Sequence, residues 1–338
     1  MPTRRTLLAA GLAAPALLRR AAAQARPVLR VQSIGGAVEK TLRESVIPGF
    51  EQEHGVQVVL TIEDDVVMLP RLQVARGRPP YDVVMLDNDK AILGEQLELW
   101  APDATAALPN AAAVYASCKP PATANYAFMI FEYALAYSKA KLPQAPTSWI
   151  DLWNPGLTVA VPHISQAYGW SFLYLAAVLH GGSETDLGPG FEAIKRLPSF
   201  KIYRTVAQGL ALFQQREADA GLFYSHRTQQ MIDAGLPLGK VVPREGSYGM
   251  HTGTQIPRGA ANTAAALAWI NTTLGVPYQT AFAQSQYSPT NRDCVLPPDV
   301  AARISYGPRV DAIREAPWAA LLPQRDAVLD RWNREFGL

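Results

Sequence analysis

The stretch Thr147-Ser148-Trp149-Ile150-Asp151-Leu152-Trp153-Asn154-Pro155-Gly156-Leu157-Thr158-Val159-Ala160-Val161-Pro162 decides how this chain is organised. A Ser/Thr pair followed by an acid three residues on marks a helix N-terminus, because the hydroxyl caps free amides and the acid reaches back to the cap. Trp149, Leu152 and Trp153 stand at i, i+3 and i+4, so they share one helical face. That spacing predicts two core tryptophans. Asn154-Pro155-Gly156 ends the helix, since proline cannot continue it and glycine eases the turn. Residues 157–161 are apolar and β-branched, and Pro162 closes them, which predicts a buried strand. Helix, hard stop and core strand together open a new α/β unit in mid-chain.

Toward the N-terminus, residues 28–33 alternate apolar side chains and read as a strand. Ile34-Gly35-Gly36-Ala37 follows, then a helix carrying Val38, Leu42, Val46 and Phe50 and ending at Gly55. A second strand over 56–62, an acidic loop Glu63-Asp64-Asp65, a helix over 68–75 and a third strand over 81–86 complete a β-α-β-α-β series. Such alternation implies a parallel sheet covered by helices, with ligands bound beyond the carboxyl ends of the strands. Toward the C-terminus, the aromatic-rich segment 125–138 crosses into a second lobe, and 248–256 crosses back. Between them lie helices over 166–180, 188–197, 209–217 and 228–234, and strands over 200–203, 220–224 and 238–242. Helices over 260–274 and 277–284 rejoin the first lobe, and the tail 318–336 is amphipathic and packs across the back. The predicted fold is α/β and two-lobed, a clamshell in which each lobe is a helix-flanked, mostly parallel sheet. Lobe 1 is 27–134 plus 254–338, lobe 2 is 135–253, and the two hinge crossings fall near Ala134 and Gly253.

The segment Thr147-Ser148-Trp149-x-Asp151-Leu152-Trp153-x-Pro155 closely resembles one found in periplasmic solute-binding proteins of the spermidine/putrescine type, which serve ABC importers. Gly35-Gly36-Ala37 resembles the opening loop of that family, and Gly49-Phe50-Glu51-Gln52-Glu53-His54-Gly55-Val56 its helix-to-strand turn. Tyr81-Asp82-Val83-Val84 and Tyr287-Ser288-Pro289-Thr290-Asn291 resemble two further segments in the same order. The resemblance implies the type II periplasmic-binding fold, and a monomer that captures a small solute by lobe closure, with no cofactor and no covalent chemistry. It further implies a membrane permease and an ATPase as partners.

Residues 1–25 read as an export signal to be cleaved near Ala25. Arg4-Arg5 precedes a short apolar run, Ala23-Gln24-Ala25 supplies small residues, and Thr3-Arg4-Arg5-Thr6-Leu7-Leu8 fits a twin-arginine address. The formal charge of +2 includes Arg4, Arg5, Arg19 and Arg20, so the mature chain carries 27 basic against 29 acidic residues. That balance argues against nucleic acid as a partner, which requires a basic face. Cys118 and Cys294 are the only cysteines. In an oxidising compartment they can pair, and sequence alone leaves a disulfide and two free thiols both open.

No G-x-S-x-G, P-loop or H-E-x-x-H motif is present, and the five histidines show no metal-ligand spacing. Gly188-Pro189-Gly190-Phe191-Glu192-Ala193 matches a dinucleotide fingerprint by letter, but no strand precedes it and Pro189 lacks the needed amide donor. An exported hydrolase and a solute-binding partner of a sensor are the alternatives to transport. Candidate ligand contacts are the residues of the cleft loops: Ser33, Gly35, Gly36, Asp64, Asp87 and Asn88 from lobe 1. From the crossings and lobe 2 come Tyr126, His163, Gln166, Tyr168, Tyr224, Arg227, His251 and Thr252, and Tyr287 follows later. The resemblance implies acids after the strand 157–161, where His163-Ile164-Ser165-Gln166 stand, and Trp or Asp where Met250-His251-Thr252 stand. It implies Trp in the loop occupied by Tyr224-Ser225-His226-Arg227. A desolvated polyamine needs carboxylates. With those positions neutral, histidine or arginine, Arg227 suits a carboxylate, and the expected ligand is anionic or zwitterionic.

Overall fold

The computed structural model describes residues 26–337 except 76, 105, 107 and 120–124, so the predicted signal 1–25 lies outside the described residues. Ten strands form one continuous sheet: β1 Val28–Ser33, β2 Gln57–Ile62, β3 Val83–Asp87, β4 Ala127–Ser138, β5 Thr158–Pro162, β6 Ser199–Tyr203, β7 Ala220–Tyr224, β8 Leu238–Val241, β9 Tyr248–Gln255 and β10 Ser288–Pro289. The order is β2-β1-β3-β9-β4-β7-β5-β6, with β8 and β10 also on β4. Strands β1, β2 and β3 pair in parallel, as do β6, β5 and β7, while the pairings of β4 and β9 with other strands are antiparallel. The two parallel groups are the expected βαβ units, and the antiparallel strands join them.

Strand β4 changes neighbours along its length. Its first half pairs β9 and β10, and from Tyr133 onward it pairs β7 and β8. The apolar interior divides accordingly. One cluster holds Leu29, Val31, Phe50, Phe128, Trp269 and Phe282, and a second holds Trp149, Val159, Phe172, Phe191, Phe223 and Trp332.

Local chemistry explains the elements. The first long helix runs as Ala37–Thr41, a wider π turn Leu42–Val46, and Ile47–His54, with Pro48 near the start of its last section. Proline has no amide hydrogen, so a regular ladder cannot continue there. Gly55 ends the helix at φ 64°, a left-handed conformation open to glycine at no cost. The stretch Trp149–Trp153 is a 3₁₀ helix rather than the expected α-helix. Asn154-Pro155-Gly156 cuts it to five residues, too short for a developed α ladder. Its capping box is present: Ile150 N–H donates to Ser148 Oγ, and Asp151 Oδ2 accepts from Ser148 N–H at 3.1 Å. Trp149 is fully buried and its indole donates to Gly246 O at 2.9 Å, while half-buried Trp153 donates to Ala193 O at 2.8 Å.

Of the two states left open for the cysteines, the structure has the free thiols: both are unpaired and buried. One reading of the sequence meets a different outcome. The residues after β3 form no loop: Asn88–Gln96 is a helix starting at once from Asp87, whose extended backbone serves as the N-cap. The segment resembling the late family motif is stapled by Gln279. Its Oε1 accepts from the backbone amides of Thr290 and Asn291, each at 2.7 Å, and its Nε2 donates to Thr290 Oγ1 at 3.0 Å. Gln279→Ala strands two buried amides, and we expect it to lower unfolding free energy by about 3 kcal/mol; a shift of the urea midpoint at unchanged slope measures this.

Candidate functional site

The carboxyl end of β3 pairs with β9 and that of β7 with β4, and β4 and β9 are themselves paired. At the end of β3, Asp87 is half-buried and its Oδ1 accepts from Thr252 Oγ1 on β9 at 2.6 Å. Burial pushes its carboxyl well above the usual aspartate range, and the negative charges of Asp65 and Asp89 push it further. Asp65 is likewise raised, first by burial, with Lys90 opposing and Asp89 adding. Burial depresses the Lys90 ammonium, but Asp89, Asp65 and Asp87 outweigh it and the net shift is upward. Its Nζ donates to Asp89 Oδ2. Three acids therefore surround one lysine, and a further positive charge placed there would favour their ionised form.

Across from the acids stands a wall of tyrosines. Tyr224, at the end of β7, meets Tyr133 and Tyr168 edge-on at 5.2 Å between ring centres, and Tyr168 stacks on Tyr203 at 5.7 Å. Burial raises the hydroxyls of Tyr133 and Tyr224, and both also feel the charge of Asp87, which places the acid beside the wall. The wall continues through His226, whose ring lies 5.5 Å from Tyr224 and 5.1 Å from Tyr287; Phe131 is 5.1 Å from Tyr287. Arg227 lies in the first turn of the helix Ser225–Asp233, is half-exposed, and donates to Gln230 Oε1 at 3.1 Å. Among the described residues no carboxylate lies within ion-pair reach of it. Burial, then Arg227 and Lys240, lowers His226 to about 3, so His226 is neutral at physiological pH and the positive charge here belongs to Arg227 and Lys240.

The residues singled out from sequence separate into groups. Asp87 and Thr252 meet directly, Tyr168 and Tyr224 are in ring contact, and Tyr224, His226 and Tyr287 run together toward Arg227. Asn88 and His251 are joined through Glu315: Asn88 Nδ2 donates to its Oε2 at 2.8 Å, and His251 Nδ1 lies 3.4 Å from the same atom. Ser33 directs its hydroxyl to Met85 Sδ at 3.3 Å. Gly35 and Gly36 lie exposed in the loop after β1, and Tyr126 is half-buried with Lys119 Nζ 5.8 Å from its ring centre. His163 packs edge-on against Trp332 at 5.7 Å, and its Nδ1 lies 2.8 Å from Ser165 Oγ. Burial lowers its basicity, Arg204 adding to this. Gln166 is exposed at the start of the helix Ala167–Leu179, and Asp64 is the exposed N-cap of Asp65–Val74.

Asp65, Asp89, Lys90, Tyr133 and Glu315 were not among the candidate contacts read from the sequence. For Asp65 the signal was available. With the helix starting at 65, Asp65, Met68, Leu69 and Leu72 fall on one face, and the last three are buried. The neighbouring Asp64 is thereby turned to solvent.

A chamber of about 620 Å³ opens beside the acids. Asp65, Asp89 and Lys90 line it from one side, Ser165, Gln166 and Trp170 from another, and the C-terminal segment 318–329 from a third. Among the described residues no group of three His, Cys, Asp or Glu is arranged to hold a metal ion, and no helix is long and apolar enough to cross a membrane.

Comparison with known proteins identifies the fold and the family. A gamma-aminobutyric acid-binding protein of Pseudomonas aeruginosa is 29% identical over 139 residues, a match spanning 40% of this chain and 38% of that relative. An ABC transporter structure from Clostridium perfringens superposes with a TM-score of 0.82 at 23% identity, covering 90% of this chain and 99% of that one. The Atu4243-GABA receptor gives 0.76 at 17% identity, covering 91% and 97%. These structural likenesses establish the fold. The family described as bacterial extracellular solute-binding protein matches residues 46–306, most of the chain. Members of this family bind solutes and are not enzymes, and this chain belongs to the bacterial extracellular solute-binding proteins.

Proposed function

We propose that this protein captures a small zwitterion between two lobes, one built on β1, β2 and β3 and the other on β5, β6 and β7 with the C-terminal helix packed on it, and delivers it to an ABC permease driven by an ATPase. The observation that carries the reading is the opposed charge along one aromatic wall. Asp65, Asp87 and Asp89 exceed their single lysine at one end, and Arg227 stands without a carboxylate partner at the other. An ammonium neutralises the first and a carboxylate the second, while the tyrosines cover the methylenes between. The name of the Pseudomonas aeruginosa relative, whose solute carries an amine and a carboxylate apart, supports the same assignment. A polyamine satisfies only the acidic end, and a dicarboxylate only Arg227. Ligand contact with both lobes favours the closed form. The protein acts as a monomer, and residues 1–25 direct its export.

The test is calorimetric titration of the mature protein with γ-aminobutyric acid, putrescine and succinate. Binding of the amino acid alone supports the proposal. Binding of putrescine alone returns the protein to the polyamine class and removes Arg227 from the site. We expect Arg227→Ala to weaken binding of the amino acid about 10- to 30-fold, the effect of losing one partly exposed charge-assisted contact.

A further inference from the structure

We infer that the chamber beside the acids receives an apolar substituent carried on the ligand's ammonium, so that the preferred solute is an N-substituted amino acid larger than a simple four-carbon one. This rests on the ammonium placement proposed above. The chamber shares Asp65, Asp89 and Lys90 with the acidic end of the site, so a group attached to the ammonium nitrogen enters it directly. Beyond that rim the lining includes Leu69, Leu93, Trp170, Trp318 and Leu329, which offer aliphatic and aromatic surface. Its size of about 620 Å³ lies in the range of pockets that enclose drug-sized molecules, roughly 300–1,000 Å³.

The outer wall of this space joins both halves. The short helix Trp318–Leu321 packs on the helix Asn88–Gln96, and Ile92 from the latter belongs to the same apolar cluster as Trp318, Leu321 and Trp332. The segment that walls the chamber is thereby held against the acids' own helix, and apolar surface on a ligand finds a ready partner there.

The experiment is titration of the mature protein with γ-aminobutyric acid, its N-benzyl derivative and 4-phenylbutylammonium, in the wild type, Leu93→Trp, Leu329→Trp and Arg227→Ala. N-benzylation keeps the positive charge and adds a ring. We expect about tenfold tighter binding of the N-benzyl compound than of the parent in the wild type. Either tryptophan variant fills the chamber and should abolish that gain while leaving the parent within twofold, and a folded variant is recognised by its retained parent affinity. The carboxylate-free 4-phenylbutylammonium isolates the chamber from Arg227. Its binding to wild type and Arg227→Ala alike, with loss in the tryptophan variants, upholds the chamber even where the zwitterion reading fails. Equal or weaker binding of the N-benzyl compound, with 4-phenylbutylammonium failing to bind, overturns the chamber assignment even where γ-aminobutyric acid binds.

Discussion

Asp87→Asn is expected to lose at least about 100-fold in solute affinity and at the same time to melt higher than the wild type at neutral pH. The two effects share one cause. Burial and the charges of Asp65 and Asp89 hold the Asp87 carboxyl well above its unfolded value, so ionising it in the empty protein is unfavourable. A raised folded pKa means that this group's contribution to stability is complete below the unfolded value, roughly 4, and is lost as pH rises through the folded value. Asparagine never ionises, still presents an oxygen to Thr252 Oγ1, and escapes that loss. The melting-point gap between variant and wild type should therefore be near zero at low pH and widen as pH rises. Removing one member of a desolvated ion pair usually costs about 3–5 kcal/mol, which corresponds to a hundredfold or more in affinity. Differential scanning calorimetry across pH, with titration calorimetry at pH 7, reads both. A variant that melts lower at every pH, or one that binds as wild type does, contradicts the placement of Asp87 in the cation site.

Trp149→Ala should be the most damaging single truncation in the second half of the fold, costing about 3–5 kcal/mol. The indole is fully buried in the cluster built on β5 and its neighbours, and it carries a hydrogen bond to Gly246 O. Glu245 adds a second clamp, since its carboxylate accepts from Trp149 N–H at 3.2 Å and from Ser148 Oγ. Alanine leaves a large void and an unpaired carbonyl, and neither can be relieved while Pro155 and the capping box fix the backbone. Against a total stability of about 5–15 kcal/mol this is a large share, and it should lower the melting temperature by roughly 10 °C. Trp149→Phe fills most of the void and loses only the hydrogen bond, so it should cost less than half as much. A loss under about 1 kcal/mol in the alanine variant would show that the segment does not organise this part of the chain.

The fold was legible because its signals are local and periodic. The caps at Ser148 and Gly55, the stop at Asn154-Pro155-Gly156 and the apolar runs of β1, β3 and β5 each mark an element without help from tertiary structure. The helix Asn88–Gln96 was lost because its apolar periodicity is weak: Asn88, Asp89 and Gly94 are buried in place of the usual leucines. The candidate site was legible in part, for a related reason. Loops after parallel strands can be found from the strands, so Asp87, Tyr224 and Arg227 were within reach. Which of two adjacent acids faces inward depends on helix phase, and Asp64 was chosen over Asp65 for lack of a fixed start. The histidines looked like anion ligands by type. Burial decides their charge, however, and the neutral state of His226 follows only from its surroundings.

The path of the last helix has a practical corollary. Strand β1 begins the described chain within the apolar cluster of Leu29 and Val31, whereas Trp332 and Phe336, near its other end, pack against Phe191 in the opposite one. Strand β1 and the last helix thus belong to different apolar clusters, and the span between them is a natural gauge of capture. A donor and an acceptor dye attached to these two elements would turn solute uptake into a change in energy transfer, with every side chain of the binding cleft left as it is.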